Sequence, residues 1–248
     1  MITISVYQIT PFMADGYSLP EQAINNGTNW LREAINQLYN RQKERLNVAG
    51  ALTNLFHNHD EQSGQTISRY PLIQYQKKAD CYFVTGINEG CKALAILFDD
   101  VRSGISMNDR MQMAVKQVHH ATYEVNITSG PLVYSLTKWL PFNRENYSRY
   151  KQMATLAEKV SFLEQILQNH LVKDFGHYLD LNLDNNSLLI SITGIDSFTS
   201  SCIQLKVNKH IHDFQPFNIT FSANVTLPPN ICLGNGKVFG FGLTEPVT

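Results

Sequence analysis

Two histidines separated by a single residue have the right chemistry for proton transfer. His57 and His59 lie in a polar segment, residues 54–60. Both imidazoles titrate near neutral pH, so one can accept a proton while the other donates one. Reactive side chains also collect in loops that a rigid scaffold holds in place. The alternative is a pair of solvated loop histidines, because this spacing carries no mechanism by itself.

A glycine-rich stretch near the C-terminus is a second candidate site. It contains Gly234, Asn235, Gly236, Lys237, Gly240 and Gly242. Glycines let backbone N–H groups approach an anion closely, and Lys237 adds a positive charge. The stretch does not match a Walker loop, and too few residues follow it for a dinucleotide fingerprint. It is therefore either an anion-binding loop or a glycine-rich turn with a bulge.

The histidines do not predict a metal centre. His210 and His212 repeat the one-residue spacing, and on a strand their rings lie on one face. Together with His57 and His59 they could form a cage, but zinc sites usually show cysteine or carboxylate ligands at paired spacing. We therefore expect neither a metal nor another cofactor. The other histidines are interpreted as structural residues near helix C-termini: His119, His120, His170 and His177.

The elements that position these residues follow a repeated order. In the first half, apolar periodicity predicts a strand near residues 2–7, a helix near 30–39, strands over 70–75 and 81–85, and a helix over 88–98. A further helix over 108–118 and a strand near 123–127 complete the half. The order is βαββαβ, which is the ferredoxin-like motif.

After Gly130 and Pro131 a similar pattern starts again. It predicts a strand over 132–140, a helix over 155–175, and strands over 189–193, 203–207 and 217–225. We therefore predict an α+β protein of two tandem ferredoxin-like domains, residues 1–130 and 131–248. This fold serves many functions and does not identify the chemistry.

Composition limits the class of protein further. Lys and Arg number 20 against 21 acidic residues, for a net charge of −1, so a nucleic-acid site must be a local basic patch. The four cysteines form no CxxC pair, which is typical of a reducing compartment. The sequence shows no signal-peptide pattern and no run of about 18 apolar residues. These features predict a soluble cytoplasmic protein without membrane contact.

Five segments in order resemble the CRISPR-associated repeat-RNA endoribonucleases of the RAMP superfamily, in the subgroup with an H-x-H active-site loop. Together they span nearly the whole chain. They are residues 56–59 around the histidine pair, 69–75, 86–90, 139–150, and the tail 221–242 with its glycines. In the tail, residues 229–232 replace the aromatic lead that is commoner in the family.

The resemblance implies metal-independent cleavage of precursor CRISPR RNA within each repeat. The ribose 2′-OH attacks the adjacent phosphate and leaves a 2′,3′-cyclic phosphate and a 5′-OH. His57 and His59 become the catalytic pair, with their roles as acid and base unassigned. Tyr70, Tyr75 or Lys77 can stabilise charge, at a lower rank than the histidines.

The resemblance also implies that the glycine-rich stretch contacts RNA. Because the net charge is low, basic residues must be concentrated locally, and the candidates are Lys138, Arg144, Arg149, Lys151, Arg41, Lys43 and Arg45. The alternative for these cations is an ordinary solvated helix face. The expected partner is CRISPR repeat RNA, with subunits of an interference complex and a second copy of the chain as further partners. A catalytically silent RAMP subunit that holds RNA as a scaffold is the alternative, and the paired histidines argue against it.

Overall fold

The computed structural model divides into two compact units. The N-terminal unit comprises Ile2–Thr122 with Val238–Gly240, and the C-terminal unit comprises Tyr123–Lys237 with Phe241–Thr248 and Met1. The predicted domain boundary at residues 130 and 131 stays a prediction. The structure describes residues 1–13, 28–48, 55–56, 69–99, 105–108, 111–198, 202–207 and 210–247.

The N-terminal unit is built on a five-stranded antiparallel sheet. Its strands are β1 (Ile2–Met13), β2 (Ile73–Lys78), β3 (Cys81–Ile87), β4 (Ile105–Asn108) and β5 (Met111–Tyr123), in the order β2-β3-β1-β5-β4. The first strand, β1, therefore lies between β3 and β5 in the centre of the sheet, as in the ferredoxin-like motif. The predicted β2–β3 hairpin is confirmed, and Ala79 in its turn has a positive φ of 49°.

Helices α1 (Asn29–Arg41), α2 (Lys43–Val48) and α3 (Glu89–Phe98) complete this unit. The buried side of α1 repeats at helical spacing and carries Leu31, Ile35 and Leu38. These side chains join Tyr75 and Val84 of the sheet in one apolar core. The predicted helices near 30–39 and 88–98 are both confirmed.

The helix predicted over residues 108–118 is wrong, because this segment forms the β4–β5 hairpin. Ile105 pairs with Met113, and Asn108 pairs with Met111. The apolar residues Met113 and Val115 also fit a two-residue period, and hydrogen bonding beside β1 decides between the two periods. His119 and His120 therefore lie in a strand and not at a helix end. His120 Nδ1 lies 2.7 Å from the hydroxyl of Ser5 on β1.

The C-terminal unit repeats the same strand order. Its sheet has the order β11-β12-β6-β10-β7, with β6 (Ile127–Trp139), β7 (Ile190–Phe198), β10 (Phe217–Val225), β11 (Ile231–Cys232) and β12 (Leu243–Pro246). β6 lies between β12 and β10, so the first strand is again central. Strands β8 (Ile203–Val207) and β9 (His210–Phe214) form a separate hairpin. The α+β class with two ferredoxin-like halves is confirmed.

Two helices follow β6. α4 (Arg144–Gln152) was not predicted as a separate helix, and α5 (Leu156–Asn169) continues into a π-helical segment, His170–Gly176. Thr155 and Glu158 form a capping box at the start of α5. The second helix of the motif is replaced here: between β10 and β12, a stretch that the structure describes throughout, the chain forms β11, the glycine-rich stretch and a 3-10 turn, Lys237–Phe239.

Candidate functional site

The predicted catalytic histidines, His57 and His59, lie outside the described residues. The residue before them, Phe56, is buried in the core of the N-terminal unit. Its ring stacks on Tyr39 of α1 at a centroid distance of 4.9 Å and an interplanar angle of 25°. The side chain directly before the histidine segment is therefore anchored in the core.

Tyr70 follows the histidine segment and is also anchored in the N-terminal unit. Its side chain is 1% exposed, and its hydroxyl accepts a hydrogen bond of 3.0 Å from Gln74 Nε2. Tyr75 is fully buried as well, and this burial raises the pKa of its hydroxyl. Such burial favours packing roles for both tyrosines over direct contact with RNA. The catalytic assignment of Tyr70 stays a prediction.

The glycine-rich stretch is a loop whose glycines adopt left-handed backbone conformations. Gly234 and Gly236 have φ values of 87° and 68°, and Gly240 and Gly242 have 81° and 71°. A Cβ on Gly234 would lie 2.7 Å from Nε1 of Trp139, so a larger residue cannot pack there. Asn235 holds the loop to the end of β6, because its Nδ2 donates to the carbonyl oxygens of Leu140 and Phe142, both at 3.1 Å.

Lys237, the predicted phosphate contact, forms an ion pair in the C-terminal unit. Its Nζ lies 3.2 Å from Oδ2 of Asp174 in the π-helical segment. The side chains are 19% and 37% exposed, so the pair is partly shielded from water. A phosphate that binds Lys237 must therefore share this ammonium group with Asp174 or displace the carboxylate. Sequence analysis did not identify Asp174.

A partly buried histidine lies beside this ion pair. The indole N–H of Trp139 donates to Nδ1 of His170 at 3.2 Å, which requires that nitrogen to be unprotonated. Burial lowers the pKa of His170 to about 4; the Asp174 carboxylate opposes this shift and Lys237 adds to it. His170 is therefore neutral near pH 7. π-Helical turns are rare and occur frequently at functional sites.

Helix α4 carries basic and aromatic side chains and no apolar stripe. Asn143 caps the helix by accepting from the backbone N–H of Asn146 at 2.8 Å. None of its nine residues, all in the described part of the chain, is buried. Lys151 lies 4.5 Å from the ring centroid of Tyr147, and the guanidinium of Arg149 lies 4.9 Å from that of Phe162. Arg144 is exposed at the first helical position.

Other predicted residues have less definite positions. Lys138 is exposed, and its backbone N–H donates to Oδ1 of Asn218 at 2.7 Å. The side chains of His210 and His212 lie outside the description of β9. Within the residues that the structure describes, no group of three or more His, Cys, Asp or Glu side chains can hold a metal ion. The expectation of a site without metal or cofactor stays a prediction. None of the described helices is long and apolar enough to span a bilayer.

Family models match both halves of the chain. The Cas6b N-terminal domain matches residues 23–124, and the Cas6b C-terminal domain matches residues 126–247. No curated protein sequence matches significantly.

Solved structures share this fold at low sequence identity. A structure described as Cas6b has 17% identity and a TM-score of 0.67, with 100% of both chains covered. A CRISPR RNA processing endoribonuclease Cas6b has 16% identity and a TM-score of 0.54, with 99% of this chain and 100% of that chain covered. Csf5, a type IV Cas6 crRNA endonuclease, has 13% identity and a TM-score of 0.60 at the same coverage. The chain therefore belongs to the Cas6b family, and its predicted place among the CRISPR-associated RNA endoribonucleases is confirmed.

Proposed function

We propose that this protein cleaves precursor CRISPR RNA once within each repeat, without a metal ion. The observation that carries the proposal is the match of both Cas6b domain models, in order, across residues 23–247. The histidine pair lies within the N-terminal match, and the glycine-rich loop lies within the C-terminal match. The reaction is an intramolecular transesterification and consumes no water.

In the proposed reaction, His57 and His59 act as the acid–base pair. One imidazole takes the proton of the ribose 2′-OH, whose oxygen then forms a bond to the adjacent phosphorus. The bond between phosphorus and the 5′-oxygen breaks, and the other imidazole protonates that oxygen. The products are a 2′,3′-cyclic phosphate and a 5′-OH. The buried ring of Phe56 supports this role, since it fixes the chain directly before His57.

We place the RNA backbone on the basic surface of the C-terminal unit. Arg144, Arg149 and Lys151 extend along α4, and a solvated helix with this charge suits phosphate contacts. Lys138 and the loop over Gly234, Asn235, Gly236, Lys237, Gly240 and Gly242 add further contacts. The chain can bind RNA with these local charges although its net charge is −1.

The test uses end-labelled repeat RNA in the presence of EDTA. We expect cleavage at one position and a cyclic phosphate on the upstream product. A repeat with 2′-deoxyribose directly before the cut should bind and stay intact. Normal cleavage of that substrate excludes the 2′-OH mechanism, and binding without any cleavage of the all-ribose repeat identifies an RNA-holding scaffold instead.

The remaining assignments stay predictions. They are binding to subunits of an interference complex, formation of a homodimer, and a cytoplasmic location. Size measurement of the purified protein with and without repeat RNA tests the dimer.

A further inference from the structure

A cavity in the C-terminal unit has the features of a binding site for a flat polar ligand. Its volume is about 440 Å³, within the range of about 300–1,000 Å³ typical of small-ligand pockets. It lies beside the first turn of α4, the end of β9 and the glycine-rich loop. We call it the aromatic pocket, and its walls include Phe142, Arg144, Tyr147, Asp213, Phe214 and Asn235.

Three aromatic side chains make the pocket suited to stacking. Phe142 is buried and holds Tyr147 at a centroid distance of 5.6 Å. Tyr147 is half-buried, and the ammonium group of Lys151 lies 4.5 Å from the centroid of its ring. Phe214, at the end of β9, is half-buried as well. Every nucleobase has a π-face that can stack on such rings.

The polar groups of the pocket carry both signs of charge. The Asp213 carboxylate accepts a hydrogen bond of 3.0 Å from Gln204, and it retains further lone pairs that can accept from a ligand. A carboxylate repels a bare phosphate and suits the amino group of a base, as acidic side chains do when they read cytosine. Arg144, at the start of the cationic helix α4, suits the phosphate attached to that base.

From this arrangement we propose that the aromatic pocket binds one unstacked base of the repeat RNA, a base that carries an exocyclic amino group. Tyr147 stacks on the base, Asp213 accepts from its amino group, and Arg144 contacts the adjoining phosphate. Sequence-specific recognition of RNA commonly uses such unstacked bases. The inference rests on the proposed function, because the base belongs to the RNA that the protein cleaves.

The natural cysteines allow a test without mutation. Cys202 lines the pocket and is exposed, and Cys81 is exposed in the N-terminal unit. The full-length protein is treated with iodoacetamide alone and with repeat RNA that carries the 2′-deoxy block. Mass spectrometry should show that RNA slows alkylation of Cys202 and leaves that of Cys81 unchanged. Equal rates at Cys202 with and without bound RNA overturn the inference.

A second arm locates the base. Each unpaired repeat position is replaced in turn by 2-aminopurine, whose fluorescence falls when it stacks on an aromatic ring. We expect the wild-type protein to quench the 2-aminopurine fluorescence at one repeat position. The Tyr147→Leu protein should not quench it, and should bind the RNA about 5- to 100-fold more weakly. Tyr178→Leu is the matched control, since Tyr178 is an exposed tyrosine of the same unit outside the pocket lining.

A third arm tests the choice of base. Removing the exocyclic amino group from the located base should weaken binding to the wild type, and Asp213→Asn should reduce this preference. Asp180→Asn is the control, because Asp180 is exposed outside the pocket lining, and Asn tolerates its positive φ of 52°. If repeat RNA is bound no better than unrelated RNA, the proposed function fails. If it is bound and cleaved while Tyr147→Leu behaves like Tyr178→Leu, the pocket inference alone fails.

Discussion

Lys237 is the residue whose environment differs most from the sequence-based expectation. The glycines around it suggest that its ammonium group is available to bind a phosphate. In the structure its Nζ is paired with Asp174 at 3.2 Å, next to the partly buried ring of His170. In the proposed RNA complex, a phosphate would therefore have to compete with the Asp174 carboxylate for the Lys237 ammonium group.

The Lys237–Asp174 pair leads to opposite effects of two substitutions. Lys237→Ala should weaken repeat binding and reduce the slope of log K against log salt by about 0.7 to 1, because one phosphate contact is lost. Asp174→Asn should strengthen binding, since a neutral amide attracts the ammonium less strongly than the carboxylate does. Titrations at several salt concentrations measure both effects. Lys173→Ala, an exposed lysine of the same segment, is the control; a Lys237→Ala protein with wild-type affinity makes the pair purely structural.

The histidine pair is tested by separating the cleavage rate from RNA affinity. Replacing His57 or His59 by Ala should lower the single-turnover rate by about 10² to 10⁴, the usual effect of losing a general acid or base. Repeat affinity should change little, because neither imidazole is assigned to binding. His210→Ala is the matched control from the other H-x-H pair. Wild-type cleavage rates in both single variants would place the active site elsewhere.

Among the elements, the glycine-rich loop depends most on its local backbone. Gly236 has a φ of 68°, and a Cβ there would lie 2.8 Å from the ring of Phe241. Gly236→Val should therefore weaken RNA binding more than Lys237→Ala does, and should lower Tm, because a β-branched residue resists positive φ. Gly130→Val is the control, because a Cβ on Gly130 meets no atom within 4 Å. Equal RNA affinity of the two glycine variants would contradict a role for the loop in binding.

Most elements follow from apolar periodicity. The clean alternation over residues 217–225 correctly predicts β10, whose burial alternates along its whole length. The segment 108–118 misleads because its apolar residues fit helical and strand periods alike, and pairing decides between them. Helix α4 was missed for a different reason: it buries no side chain, so it has no apolar stripe to detect.

For the whole molecule, we expect His170 to make the free energy of unfolding depend on pH. Its pKa is about 4 in the folded protein and near 6.5 in the unfolded chain, so the unfolded chain binds more protons between these values. The contribution of His170 to the free energy of unfolding should be fully present above pH 6.5. It should fall by up to about 3 kcal/mol as the pH drops towards 4.

Denaturant titrations across this pH range measure the effect of His170. His170→Gln should flatten the pH dependence, since Gln does not titrate and can still accept from Trp139. His177→Gln is the control, because His177 is exposed directly after the same π-helical segment. An unchanged pH dependence in His170→Gln would show that other groups control acid stability.

Apolar periodicity along the chain indicated the α+β fold class, because it depends on local residue spacing. The resemblance of five segments to a known family implied the family and the candidate catalytic pair, His57 and His59. The strand order of both sheets agrees with the ferredoxin-like motif that the element order predicts. Tertiary structure decided which distant side chains meet: Lys237 with Asp174, Trp139 with His170, and Tyr147 with Asp213 around one cavity. The first two of these contacts join residues that are 63 and 31 positions apart. Neither periodicity nor motif spacing records which distant segments the folded chain brings together.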